Sequence, residues 1–166
     1  MKRFLLILLA FMIVLSSGCS GFGEYRSPGN LAKELQSEIM ECFVKKDGET
    51  LKSFFREYII ENYSDIDEQI KAAFDFLDGE IISYDEPFSS ASGSHDKKDY
   101  GATTRNIITD QGTEYIIAFK GWLSNDKEPD KVGTTVIVIQ NKTMKDRLEE
   151  DENASQLFRV CIGETD

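Results

Sequence analysis

The sequence predicts an α+β fold in which three helices precede a curved antiparallel sheet of four to five strands. Apolar residues recur at helical spacing between residues 28 and 77, and the period changes to the two-residue alternation of strands from residue 81 onward. A chain that runs through its helices first and its strands afterwards is typical of α+β proteins, because alternating α/β proteins interleave the two. We therefore expect a single α+β domain over residues 28–166.

Three apolar stripes predict the helices. Ser27 suits the capping position of the first, and Pro28 is favoured at the first helical position. A second stripe predicts one helix over residues 51–62, and a third predicts a helix over residues 66–77. Each helix has a single apolar face, so all three are expected to cover one side of the sheet.

Alternating side chains predict the strands, and the segment over residues 132–140 is apolar on both faces, which favours a central position. The polar segment over residues 89–98 predicts a mobile loop or a frayed hairpin. The predicted strands span residues 81–84, 105–109, 114–123, 132–140 and 157–162.

Composition excludes several classes of function. The 166 residues contain 19 Lys and Arg against 30 Asp and Glu, for a net charge of −11. Binding to nucleic acid requires clustered basic residues that release counterions from phosphates, so no nucleic-acid partner is expected. One His and three Cys supply too few soft ligands for most zinc, haem or iron–sulfur sites, so no metal or other cofactor is expected.

The N-terminus has the pattern of a targeting segment. A basic head, Lys2-Arg3, precedes an apolar run over residues 4–15, which as a helix would extend only ~18 Å and is too short to cross a bilayer. Leu15-Ser16-Ser17-Gly18-Cys19 then resembles the lipobox, which implies a signal peptide over residues 1–18 and a diacylglycerol on Cys19. An ordinary signal peptide cut near Gly18 is the alternative. Residues 19–27 would then be a lipidated flexible linker.

The negative charge of the mature chain predicts that acyl chains, and not electrostatic attraction, attach the protein to the membrane. Cleavage after residue 18 removes two of the 19 basic residues and none of the acidic ones, which leaves a net charge of −13. Anionic headgroups repel such a body, whereas two or more acyl chains suffice for stable anchoring. We expect a lipid-anchored protein on the extracytoplasmic face of the cell membrane, with the membrane as its partner through Cys19.

Several segments of the mature chain match a known family pattern. They are the run DIDEQIKAAF over residues 65–74, Asp78-Gly79, IISY over residues 81–84, KDYG over residues 98–101, GTEY over residues 112–115, NDKEPDKVG over residues 125–133, and Ile162-Gly163-Glu164. Together they resemble an uncharacterised lipoprotein family of Firmicutes, domain of unknown function 5104. The resemblance covers residues 31–164. It implies a cone-shaped fold similar to nuclear transport factor 2 and the cystatin-like group, and it implies no activity.

Folds of this cone shape often keep a pocket between the helices and the sheet, lined by apolar and a few polar side chains. Aromatic residues on the predicted helices and strands are the candidates to line it. The alternative is that they fill the core, since their burial is the largest hydrophobic gain available. The candidate ligand-binding residues are Tyr58, Phe74, Tyr84, Tyr115, Phe119 and Trp122.

Residues with catalytic or metal-binding chemistry do not form a convincing pattern, and no catalytic residue is expected. His95 lies in the most loop-like segment, without a rigid frame for proton transfer. Tyr84 and Asp85 are neighbours on a predicted strand, so they point to opposite faces. The acids over residues 126–130 lack the twelve-residue calcium loop.

The sequence leaves two alternatives for Cys42 and Cys161, a disulfide or two free thiols. An exported chain permits a disulfide between them, whereas their positions in an apolar helix stripe and a strand are typical of buried thiols. Sequence alone does not show whether the two are within reach of each other.

The leading hypothesis is an anchored, non-enzymatic binding or interaction module for a small molecule or an envelope protein. A lipid-anchored enzyme with its active site in the cone cavity is the first alternative, and convergent ionisable groups in a cavity would favour it. A self-assembling structural component of the envelope is the second, and a monomeric soluble form would argue against it.

Overall fold

A computed structural model shows a mixed α+β fold with an open antiparallel sheet. It describes residues 27–93, 97–125, 127, 129–144 and 159–164. The predicted signal peptide, Cys19, nearly all of the linker, His95, two of the loop acids (Asp126 and Glu128) and the segment over residues 145–158 lie outside the described residues.

Four α-helices precede the first strand of the sheet in the described part of the chain. The first is capped by Ser27, whose Oγ accepts a hydrogen bond from the backbone N–H of Asn30 at 3.2 Å, with proline at its start as predicted. Asp47 caps the second through the backbone N–H of Thr50, at 3.0 Å. The helices are α1 (Pro28–Lys45), α2 (Gly48–Ser53), α3 (Glu57–Asn62) and α4 (Ile66–Phe76).

The single helix predicted over residues 51–62 is wrong, because the chain leaves helical conformation between α2 and α3. There Phe55 forms a parallel bridge with Thr134, on a strand of the sheet. The backbone N–H of Arg56 donates to the carbonyl of Thr134 at 3.1 Å, and the N–H of Thr134 donates to Phe54 at 3.2 Å. These bonds take backbone groups that a continuous helix would need for itself.

Within the described ranges, six strands form one sheet in the order β1-β3-β4-β5-β6, and β2 also pairs with β3. All strand pairs are antiparallel. The central place predicted for residues 132–140 is confirmed, since β5 lies between β4 and β6. The strands are β1 (Ile81–Ser83), β2 (Phe88–Gly93), β3 (Lys97–Thr109), β4 (Glu114–Asn125), β5 (Gly133–Asn141) and β6 (Arg159–Gly163).

The polar segment after β1 is a strand rather than a mobile loop. Phe88–Gly93 pairs residue by residue with Lys98–Thr103, and β3 therefore begins eight residues before the strand predicted there. Of the two alternatives for residues 89–98, the mobile loop is wrong and the hairpin is nearer the structure, because antiparallel pairing with β3 holds the backbone of β2 although its side chains are small and polar.

The core lies between the helices and one face of the sheet. On α1, Ile39 and Phe43 are buried, and on β4 the alternate residues Tyr115, Ile117 and Phe119 are buried, as the two periods predict. Gln36 joins the layers, since its buried Nε2 donates to Thr104 Oγ1 at 3.1 Å and to the Ile117 carbonyl at 2.9 Å. The buried hydrophobic residues of the described part of the chain form one cluster, whose first member in the sequence is Ala32 and whose last is Ile162.

Cys42 and Cys161 are free thiols, the first buried and the second half-buried. Burial raises the pKa of the Cys42 thiol and keeps it protonated. Within the described ranges, no helix combines the length and the apolar character needed to cross a membrane.

Candidate functional site

A cleft of ≈ 540 Å³ opens at one end of the sheet, where β3, β4 and β5 meet the segment around α3. Its volume falls within the range of small-molecule sites. It collects aromatic and charged side chains from five parts of the chain. The aromatic members are Tyr58, Tyr100 and Trp122, and the charged members are Arg56, Asp99, Lys120, Lys131 and Glu164.

The break between α2 and α3 places Arg56 in the cleft. Backbone pairing with Thr134 holds this residue against the end of β5, and Gly133 approaches so closely that a Cβ there would lie 3.2 Å from the Arg56 Cα. Arg56 is only 4% exposed. A fixed backbone and near-complete burial leave its guanidinium little freedom.

The guanidinium of Arg56 is surrounded by an acid and two aromatic rings. It forms an ion pair with the Glu164 carboxylate, and its Cζ lies 5.1 Å from the ring centroid of Tyr58 and 5.6 Å from that of Trp122. Cations are attracted to aromatic faces at these distances. The Nε–H of Arg56 is buried and finds no hydrogen-bond acceptor among the described residues.

Lysines add further positive charge. The Nζ of Lys131 lies 5.7 Å from the Tyr58 ring centroid, and Lys120 projects from β4 as an exposed side chain without an ion-pair partner in the described part of the chain. Three cations therefore face two carboxylates, those of Asp99 and Glu164. The cleft has an excess of positive charge in a chain whose net charge is −11.

Tyr100 forms part of the wall and connects it to the core. Its ring packs edge-on against Phe119, with centroids 5.3 Å apart. Burial raises the pKa of the Tyr100 phenol, so the hydroxyl remains neutral at physiological pH. The wall therefore contributes an uncharged aromatic surface.

The structure brings together two of the six predicted ligand-binding residues, Tyr58 and Trp122. Tyr115 and Phe119 are fully buried in the core, where the Tyr115 hydroxyl donates to the Phe76 carbonyl at 3.2 Å. The other two lie elsewhere. Phe74 packs edge-on against Phe43, and Tyr84 is 43% exposed just after β1.

The charged members of the cleft, and Tyr100, did not emerge as candidates from the sequence. One signal was available, since Arg56 interrupts the apolar run FFREYII over residues 54–60. A basic residue within such a run requires an acid or aromatic partner when it is buried. Glu164, Lys120 and Asp99 carry no comparable local signal.

Comparison with known proteins identifies the family. A model of the Domain of unknown function DUF5104 matches residues 38–163. The chain belongs to this family. The match contains α2, α3, α4 and all six strands, and it reaches to the residue before Glu164. No curated protein matches the chain.

Proposed function

We propose that this DUF5104 protein is a lipid-anchored, extracytoplasmic binding module that holds a small monoanion in the cleft at the end of the sheet. One observation carries the proposal: the cleft gathers three cations and three aromatic rings in a strongly acidic chain. Such chains repel anions over most of their surface. A local excess of positive charge beside aromatic rings selects an anion with a planar or apolar part.

Arg56 is the centre of the proposed site. Its buried Nε–H has no acceptor among the described residues, and a buried donor without an acceptor costs about 1–3 kcal/mol. A carboxylate oxygen of a ligand would supply the acceptor, while Lys120 would neutralise the second oxygen. Because Glu164 already holds one edge of the guanidinium, the site is preorganised before the ligand arrives.

The proposed cone-shaped architecture similar to nuclear transport factor 2 is supported by two features. Helices cover one face of the sheet, and three register shifts interrupt its central pairings, two between β3 and β4 and one between β4 and β5, as bulges that bend a sheet do. The cleft nevertheless lies at the end of the sheet, on the face opposite the helices. Lys120 and Val136 line it, and their neighbours in sequence face the helices.

Replacing Cys19 by serine tests the anchor. We expect C19S to move nearly all of the protein from the membrane fraction to the medium, since the acidic body has no other attachment. Immunoblots of fractionated cells measure this, with Cys42→Ser as the matched control that should stay in the membrane fraction. Retention of C19S in the membrane with residues 1–18 removed would contradict the lipoprotein assignment.

Replacing Lys120 by glutamine tests the cleft. The probe is benzoate, a planar monoanion, and the reporter is the fluorescence of Trp122, which is the single tryptophan of the chain. We expect saturable benzoate binding to the chain from Ser20 to Asp166, which contains every described element. K120Q should weaken it about 10-fold, since a charged hydrogen bond contributes roughly 1.5 kcal/mol or more.

The control for this experiment is Lys33→Gln, which removes the same charge from an exposed position on α1. It should leave benzoate affinity unchanged, and benzamidine, a planar cation, should not bind. Equal losses in K120Q and K33Q would show a response to overall charge, and the cleft would then not be the anion site.

The enzymatic alternative is favoured by one feature, the two carboxylates of the cleft. A general base must be positioned to take a proton from a substrate. Glu164 is instead held by Arg56. This ion pair supports binding over catalysis as the primary proposal.

A further inference from the structure

We infer that the monoanion carries a long apolar chain, which lies in a groove that continues from the cleft across the sheet face opposite the helices; the natural ligand class is then a long-chain carboxylate. This inference rests on the proposed function, because the cleft supplies the anion site. It adds the nature of the rest of the ligand.

The strand register makes the cleft and the groove neighbours on one face. One cross-strand row lines the cleft, and its members are Ser90, Gly101, Lys120 and Val136. The next row lines a second recess of ≈ 400 Å³, and its members are Phe88, Thr103, Ala118 and Val138. On each of the four strands the two members are two residues apart, so both rows lie on the same face, ~7 Å apart.

The floor of the groove is apolar and half-exposed, and Thr103, Arg105 and Gln140 add polar side chains to its lining. Ala118, Val138 and Ile116 form its floor, and each is only partly buried although it lies within the sheet. Phe88 is 44% exposed at its edge, with the guanidinium of Arg105 4.4 Å above its ring. From Lys120 to Ile116 the floor extends ~13 Å, which suits a chain rather than a compact ring.

Charge selects the head group. Among the described residues that line the cleft, three cations stand against two carboxylates, an excess of one positive charge, which a carboxylate matches and a phosphate dianion exceeds. The concave shape favours one narrow chain over the flat surface of a protein partner. An anionic head at Arg56 and Lys120 would therefore place its chain over Ala118.

Chain length provides the first test. With the chain from Ser20 to Asp166, dodecanoate below its micelle-forming concentration should bind about 100-fold more tightly than butanoate. That ratio is about 2.7 kcal/mol over the eight additional CH₂ groups, or roughly 0.35 kcal/mol each, under half of the ~0.8 kcal/mol for full burial, as suits a half-exposed groove. Calorimetry measures the affinities, and dodecyltrimethylammonium serves as the control of opposite charge. Equal affinity for dodecanoate and butanoate would overturn this inference while leaving benzoate binding, and the proposed function, intact.

A blocked groove provides the second test. Ala118→Phe places a ring on the floor and should reduce the preference for dodecanoate over butanoate from about 100-fold to below about 5-fold, with benzoate affinity unchanged. The matched control is Ala72→Phe at an exposed position of α4, which should keep the full preference.

Three outcomes would overturn the inference. They are an unchanged preference in A118F, tight binding of dodecyltrimethylammonium, and a concentration-dependent dimer in sedimentation that A118F dissociates. The last would show that the sheet face pairs with a second copy. Loss of benzoate binding as well as dodecanoate binding in the unmodified chain would reject the proposed function itself.

Discussion

Replacing Glu164 by glutamine is expected to lower the free energy of unfolding by about 3 kcal/mol, because it leaves a buried cation without its counter-ion. The side chain of Arg56 is only 3% exposed, whereas that of Glu164 is 38% exposed, so the substitution removes the partner that is easier to solvate. The rings of Tyr58 and Trp122 attract the guanidinium but cannot replace a full negative charge. Urea denaturation of the chain from Ser20 to Asp166, followed by circular dichroism, measures the change.

Glu114→Gln is the matched control for that prediction. It breaks the ion pair with Lys142, whose side chain is 37% exposed and can be solvated when its partner is lost, so the expected cost is below about 1 kcal/mol. Similar costs for E164Q and E114Q would mean that Arg56 reaches water when its partner is lost. The cleft would then lack the fixed cation on which the proposed anion site depends.

Local periodicity predicts those parts of the fold in which one face is buried. The stripe that contains Ile39 and Phe43 and the alternation that contains Tyr115 and Phe119 both correspond to buried residues. Each pattern repeats because every member faces the same neighbouring layer. The order of elements then determines the α+β class, which the structure confirms.

Long-range pairing decides the parts that periodicity does not predict. The helix predicted over residues 51–62 is interrupted because Arg56 bonds to Thr134, 78 positions further along the chain. The strand β2 is rich in serine and has no apolar alternation, and it forms because β3 pairs with its backbone. The close approach of β3 to β4 is a further feature that periodicity does not predict. A Cβ at Gly101 would lie 2.6 Å from the carbonyl oxygen of Phe119.

The residues of the candidate site divide in the same way, into those that a local pattern predicts and those that long-range pairing brings together. Tyr58 and Trp122 were predicted because large aromatic side chains are conspicuous in any sequence. The ion pair of Arg56 with Glu164 joins residues 108 positions apart, and no local pattern connects them. Lys120 occupies an ordinary polar position in an alternating strand, and only the strand register places it beside Gly101 and Val136.

Gly163→Ala is expected to cost about 3 kcal/mol or more in unfolding free energy, because two penalties combine there. The φ angle of Gly163 is +94°, which residues other than glycine rarely adopt. A Cβ there would overlap the carbonyl oxygen of Thr135. Gly112→Ala separates the two penalties, since its φ is +80° with open space around it. Denaturation should show about 1 kcal/mol for G112A.

Gly163 also directs Glu164 toward Arg56, and this is testable by coupling. The backbone N–H of Glu164 donates to Thr135 at 3.0 Å, the same carbonyl that the new Cβ would displace. If the glycine positions the carboxylate, the cost of the double variant G163A/E164Q should fall at least about 1 kcal/mol below the sum of the single costs. Strictly additive costs would show that Gly163 and Glu164 affect stability independently. The rigidity of the anion site would then depend on Arg56 and its aromatic neighbours alone.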